Sequence, residues 1–437
     1  MGETDTDAAD RFDASISDRR LDEGGTATLF RRYARLPRNV LAISLVSLLN
    51  DASSEIIYPL LPLFLSITLG ASPAVIGLIE GAAESVSSLL KLFAGYFSDR
   101  RAKRKGPVVF GYALASAARP LLAFATNWHH VLLVRLTDRV GKGIRSAPRD
   151  AMIADAAPPA ERGLAFGFHR AMDHAGAVIG PLLGYLLLFF IASDRNAPTA
   201  RDYKWVFLVA SVPALAAVIV AALAVRETKI KSETGDKYLA PPRFSLRGFS
   251  GNFKVFLILV ALFTLSNSTD AFLLLRAGDA GVSQTSIPLI WAALHLSKVL
   301  SSLIGGDLSD RLGRKFLIAS GWLLYAAVYA GFAYVSTPGI VWMLFLIYGV
   351  YFGLAEGAEK ALVADLVRPE QRGTAYGLYN LAFSITVFPA SLLMGLLWNW
   401  RGAHAAFLVS ACIGASAALL LLLTVRARTE DEERLAV

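Results

Sequence analysis

One cysteine, Cys412, stands among 437 residues, and it sits inside an apolar run. That excludes a disulfide framework and thiolate metal clusters. Histidine is scarce, at six, and no His-Glu-x-x-His arrangement suggests a metal centre. There is no Gly-x-x-x-x-Gly-Lys-Ser/Thr loop, which argues against direct ATP-driven work. There is no Gly-x-Ser-x-Gly elbow to suggest hydrolysis. Charge is also thin: Asp, Glu, Lys and Arg make up 18% of the chain, against about 25% in a soluble domain. No enzyme activity, cofactor or metal is expected. The opening of the chain is polar and mixed in charge, without an apolar core of the kind a cleaved signal peptide carries.

What the chain has instead is apolar mass. Hydrophobic residues reach 55% and the mean hydropathy is +0.50. The apolar runs are about 20 residues long, the length of a membrane-spanning helix. A transmembrane β-barrel would show short alternating segments. The expected fold is therefore an all-α polytopic membrane protein. Twelve spans are read at roughly 40–67, 73–97, 107–125, 131–154, 163–192, 205–225, 255–275, 287–308, 316–335, 340–366, 374–398 and 405–425. They divide the chain into a polar N-terminal tail (1–38), a six-helix bundle (39–225), a polar linker (226–252), a second six-helix bundle (253–425) and a short tail (426–437).

The net charge of +8 follows membrane topology and is no nucleic-acid signature. Loops after even-numbered spans are rich in Lys and Arg, as are Arg31, Arg32, Arg35 and Arg38 before the first span. Loops after odd spans are poor in them, apart from Arg195, Arg201 and Lys204 in the longest. Both termini and the linker are thus expected in the cytoplasm, with the protein in a cytoplasmic or inner membrane.

The chain repeats itself at an interval of about 210 residues. Gly95-Tyr-Phe-Ser-Asp99-Arg100, followed by Lys103-Arg104-Lys105, returns as Gly306-Asp-Leu-Ser-Asp310-Arg311-Leu-Gly313-Arg314-Lys315. Asp155, Arg162, Gly163, Ala165 and Gly167 return as Asp365, Arg372, Gly373, Ala375 and Gly377. On these residues the chain resembles the major facilitator superfamily of secondary transporters, from about Val40 to Val425. The second copy carries that family's loop signature in full; the first departs from it at Ala102 and by an extra basic residue. The resemblance implies two pseudo-symmetric six-helix bundles, a central cavity and alternating access by rocking. The candidate gating residues are Gly95, Asp99, Arg100, Gly306, Asp310, Arg311, Gly313 and Arg314, as a latch made in one conformation and broken in the other, together with Gly176, Gly180 and Pro181 of span 5.

Ionisable groups inside spans are costly and mark function by default. Span 4 carries Arg135, Asp138, Lys142, Arg145 and Arg149 at steps of three and four, one helical stripe that must line a cavity or pair with other spans. Arg135 matches the arginine that the resemblance links to proton coupling, and Asp138, one turn on, is its nearest candidate partner. Span 1 offers Asp51 and Glu55, and span 2 Glu80 and Glu84 on a face that also holds Lys91; these carboxylates are the candidate counter-ions for span 4 or proton carriers. Burial favours the protonated carboxyl and an arginine neighbour the charged one. Span 5 carries His169 and Asp173, a relay or a structural pair, and then Gly176-x-x-x-Gly180-Pro181. That pattern resembles the family's antiporter motif; a generic small-residue packing face has the same appearance. The second half offers Asp270, His295, Lys298 and Glu356, with aromatic residues that include Trp291, Tyr348, Tyr351, Phe352 and Tyr379. The coupling and cavity candidates are Asp51, Glu55, Glu84, Arg135, Asp138, Arg145, Arg149, Asp173, Asp270, His295, Lys298 and Glu356.

The expected function is proton-coupled efflux of a small organic solute or drug, with protons, that solute and the lipid bilayer as partners and a monomer as the working unit. Uptake of an organic anion or siderophore-like ligand is the alternative within transport. A non-transporting receptor with a carrier fold is the alternative outside it.

Overall fold

A computed structural model describes residues 36–101, 103–158, 161–227, 246–368 and 371–425. Most of both tails, most of the linker, and Arg31, Arg32, Arg35 and Ala102 lie outside the described residues. Helices stand at all twelve expected positions. They are α1 (Arg38–Ile57, continued by tighter and wider turns to Thr68), α2 (Pro73–Arg101), α3 (Lys105–Ala118, continued to Phe124), α4 (Trp128–Ala156), α5 (Arg162–Ile191) and α6 (Ala200–Leu223). The second half holds α7 (Gly251–Ser266), α8 (Ala271–Asp279), α9 (Ile287–Leu312), α10 (Arg314–Tyr334), α11 (Pro338–Asp365) and α12 (Arg372–Thr424). Among the described residues, nine helical stretches are long and apolar enough to cross a membrane.

Two expected boundaries fall differently. The seventh span is broken between α7 and α8, because Asn267 leaves the helix (ψ 77) amid a run of small polar residues. Spans 11 and 12 are two arms of α12 that meet at Gly402, whose φ of 83 is open to glycine at little cost. Gly313, at φ 86, turns the chain between α9 and α10 in the same way. Helix starts are set by side-chain caps: Asn127 accepts from the His129 and His130 amides before α4, and Thr199 and Asp202 form a reciprocal capping box before α6.

The internal repeat is visible in the packing. A Cβ added at Gly111 would lie 2.7 Å from the Arg145 Cβ, and one added at Gly321 would lie 3.1 Å from the Ala355 Cβ, the matched residue. At Gly143 the neighbour is Leu90; at Gly353 it is the matched Ser301. Small residues therefore set the α3–α4 and α2–α4 approach, and the α10–α11 and α9–α11 approach, at the same places.

One end of the molecule gathers the basic loops. There Asn39 and Arg226 exchange side-chain and backbone hydrogen bonds of 2.9 and 2.8 Å, and Glu227 accepts from the Arg104 amide at 2.8 Å. At the far end the two halves touch. Tyr203 donates to Gln284 at 2.8 Å, and Thr285 donates to the Arg195 carbonyl at 2.6 Å. Leu223, Leu423 and Phe190 are about four-fifths exposed, as suits apolar helix faces whose solvent is lipid.

Candidate functional site

Two adjoining cavities of about 490 and 450 Å³ lie between the halves and share Tyr58, Arg139 and Asp270 in their walls. The larger holds most of the α4 charges; the smaller is lined by Glu80, Glu84, Glu356 and Glu359 together with Tyr351, Phe352 and Tyr379. Every coupling candidate from the sequence lines one or both cavities.

The pairing differs from the expectation for α4. Asp138 does not take Arg135. It takes Arg119, from the turn that continues α3, at 3.0 Å. Arg119 spends its other donors on Asn50 Oδ1 and Ser53 Oγ, both at 3.0 Å, and on the Asn50 carbonyl at 3.1 Å. Arg135 instead grips Glu80 with two donors, one at 2.9 Å. The reason lies between helices. Packing of α4 against α2 and the end of α3 brings Glu80 and Arg119 within about hydrogen-bond distance of Arg135 and Asp138, in place of a pair along one turn. Arg139 stands 3.7 Å from Glu84. Arg149 binds Asp150 and reaches Ser47 Oγ at 3.1 Å. Arg145 lies against the Tyr112 ring, 4.4 Å from its centroid.

The α1 carboxylates were candidates to neutralise α4, and the hydrogen bonds found for them are of another kind. Asp51 accepts from Asn50 at 2.9 Å. Glu55 accepts from the Trp291 indole at 2.7 Å, across the boundary between halves. Gly176 and Gly180 sit on the same face of α1: added Cβ atoms there would lie 3.0 Å from the Asp51 Cβ and 2.8 Å from the Glu55 Cβ. Pro181 is buried beside them. Asp173 lies 3.5 Å from His169.

In the second half, Asp270 stands at the break between α7 and α8. It accepts from Tyr348 at 2.8 Å and faces the Lys298 ammonium at 3.7 Å. Lys298 rests 3.6 Å above the Phe352 ring. His295 packs edge-on to Trp291. Glu356 pairs with Lys360 one turn on. Glu359 is buried and receives Trp322 at 2.8 Å and Tyr379 at 2.6 Å.

At the basic end, Arg104 pairs with Asp155 and Arg314 with Asp365. These are matched residues of the two repeats. The side chains of Gly95, Asp99, Arg100, Gly306 and Asp310 lie outside what is described, so no partner is assigned to them; Arg311 is exposed.

Among the groups outside the candidate set, which include the cavity-lining Lys91, Arg139, Lys142 and Glu359, three in particular hold close ion pairs that the sequence left unassigned. Arg119 lies inside the expected span 107–125, where a lone buried arginine was itself the signal, and the span 4 stripe drew the reading instead. Glu80 was read as a counter-ion without an assigned mate. Arg104 was one basic residue in a cluster, although its distance from Arg314 equals that from Asp155 to Asp365.

Comparison with known proteins bears on this arrangement. The family model for the Major Facilitator Superfamily matches residues 43–389 and 256–436. An MFS-type transporter of Methanocaldococcus jannaschii is 34% identical over 89% of this chain and 95% of its own. Multidrug resistance protein MdtH of Aeromonas hydrophila is 25% identical over 82% of this chain and 86% of its own. In fold, the chain is similar to a bacterial homolog of the human lysosomal transporter Spinster in an inward-facing and occupied conformation. That likeness has a TM-score of 0.71 at 18% identity and covers 92% of this chain and 98% of the other. With twelve helical segments in two repeats around an ionic cavity, and with matches across nearly its whole length, the chain belongs to the Major Facilitator Superfamily of transporters.

Proposed function

We propose that this transporter moves a small polar organic solute outward in exchange for protons. The observation that carries the reading is the walled-in ionic cavity between the halves. Its carboxylates at Asp51, Glu55 and Asp173 face it without an arginine or lysine hydrogen bond among the described residues. Such groups can gain and lose a proton as the cavity changes its exposure. The basic loops place the end bearing Arg104 and Arg314 in the cytoplasm. The Tyr203–Gln284 and Thr285–Arg195 contacts then form the closed outer gate. Arg104–Asp155 and Arg314–Asp365, each within one half, steady the loops that carry Asp99, Arg100, Asp310 and Arg311, and these loop residues act as the inner latch. The linker (226–252) joins the two rocking bundles. Export draws support from the Gly176-x-x-x-Gly180-Pro181 face on α1 and from the likeness to a multidrug resistance protein.

Uptake of an organic anion is the second reading, favoured by Lys142 and Arg145, for which no ion pair at contact distance is found among the described residues. Inverted vesicles with an imposed pH gradient separate the two. Solute accumulation driven by proton efflux from the lumen supports exchange; accumulation only in the direction of proton movement removes it.

A further inference from the structure

Most α4 charges can be crossed off: Arg135 on Glu80, Asp138 on Arg119, Arg139 on Glu84, Arg149 on Asp150. Among the charges that remain in the larger cavity, beside Lys91 and the Trp291-bonded Glu55, are a basic pole and an acidic pole. The basic pole is Lys142 and Arg145, one turn apart on α4. Arg145 is 5% exposed, and its Nη1 is buried with no hydrogen-bond partner among the described residues. The acidic pole is Asp51 on α1 and Asp173 on α5; Asp173 stands one turn before Gly176, which seats against the Asp51 Cβ, and both aspartates line the larger cavity. Asp173 Oδ1 is likewise buried without a partner. No ion pair joins the two poles among the described residues, although all four side chains line one space. Buried charge is costly when unmatched, and an orphaned buried donor and acceptor in one cavity call for a ligand that supplies both complements.

We propose that the solute is a zwitterion carrying an ammonium and a carboxylate, the ammonium held by Asp51 and Asp173 and the carboxylate by Lys142 and Arg145. This assignment rests on the transport reading above for its cavity, and it is tested by binding alone. The probes are unbranched ω-amino carboxylates with two to six methylenes, each beside its matched alkylamine and alkylcarboxylate. Thermal unfolding of the full-length protein in detergent reports occupancy, since a ligand of the folded state raises the midpoint. At least one zwitterion should bind at least ten-fold more tightly than either matched mono-ion. In Lys142→Met that zwitterion should bind no better than its amine, and in Asp173→Asn no better than its acid. Equal binding of zwitterion and mono-ions across the series overturns the proposal, as does equal weakening of all three probe types in both variants. Selective zwitterion binding without proton-coupled flux would leave the assignment standing and remove the exchange reading; the reverse result would do the opposite.

Discussion

On α4, Asp138 receives Arg119 from the end of α3; at the matched places in the second half, Tyr348 of α11 lies 6.1 Å from Tyr329 of α10, centroid to centroid. Elsewhere on the stripe the exchange of charge for ring is partial. Arg135, Lys142 and Arg145 correspond to Phe345, Phe352 and Ala355. At these positions one half places charges, of which Arg119–Asp138 and Arg135–Glu80 form ion pairs, where the other places the rings of Tyr329, Tyr348, Phe345 and Phe352 and the small Ala355; the match of Arg149 is Glu359, itself a buried carboxylate. Repeat geometry constrains where helices meet but not the chemistry of the meeting. An ion-paired seam depends on each partner being present, since a lone buried charge is far costlier than a matched one. A ring-packed seam loses contact area gradually. Both halves line the cavities, but the ion pairs between neighbouring helices at these matched positions stand in the first.

That contrast can be broken at graded cost. Asp138→Ala leaves the Arg119 guanidinium buried and uncompensated and is expected to cost about 3–5 kcal/mol, read as a drop in the unfolding midpoint in detergent. The double variant Arg119→Met, Asp138→Leu should recover most of that stability while transport stays lost; failure to recover would mean the pair is not a self-contained unit. Trp291→Phe removes the indole donor to Glu55 and should cost about 1.5–3 kcal/mol of the contact between halves. Faster hydrogen exchange at the far ends of α1 and α9 is the measurement, and unchanged exchange would show that this bond does not hold the gate. Gly111→Ala should destabilise by about 1–3 kcal/mol, because its Cβ would lie 2.6 Å from the Gly141 carbonyl oxygen. Gly321→Ala should cost less, its nearest neighbour being the Ala355 Cβ at 3.1 Å. Equal costs would erase the difference in tightness between the two seams. Tyr348→Phe, which removes one hydrogen bond to Asp270 while keeping the ring, should cost about 1 kcal/mol.

The helices were legible because lipid leaves the backbone few alternatives, so run length and loop charge sufficed. The repeat was legible because loop words such as Asp99-Arg100 and Asp310-Arg311 survived duplication. Partners within the site were not. Arg135, Arg119, Asp138 and Glu80 are all consistent with several pairings in one dimension, and rotation about each helix axis selects among them. The break before Asp270 was hidden because Asn267, Ser268 and Thr269 occur inside helices as well as at their ends. Gly402 gave no sign that two spans would share a single bend rather than a loop.

The mutual bond between Asn39 and Arg226 joins positions 187 residues apart using only the first half of the chain. Nothing in that clasp waits for α7 to be made. During synthesis the first bundle can shut its own circumference while the second is still unbuilt, so its charged seam is sheltered from acyl chains early. The ring-packed bundle, with less to hide, arrives last.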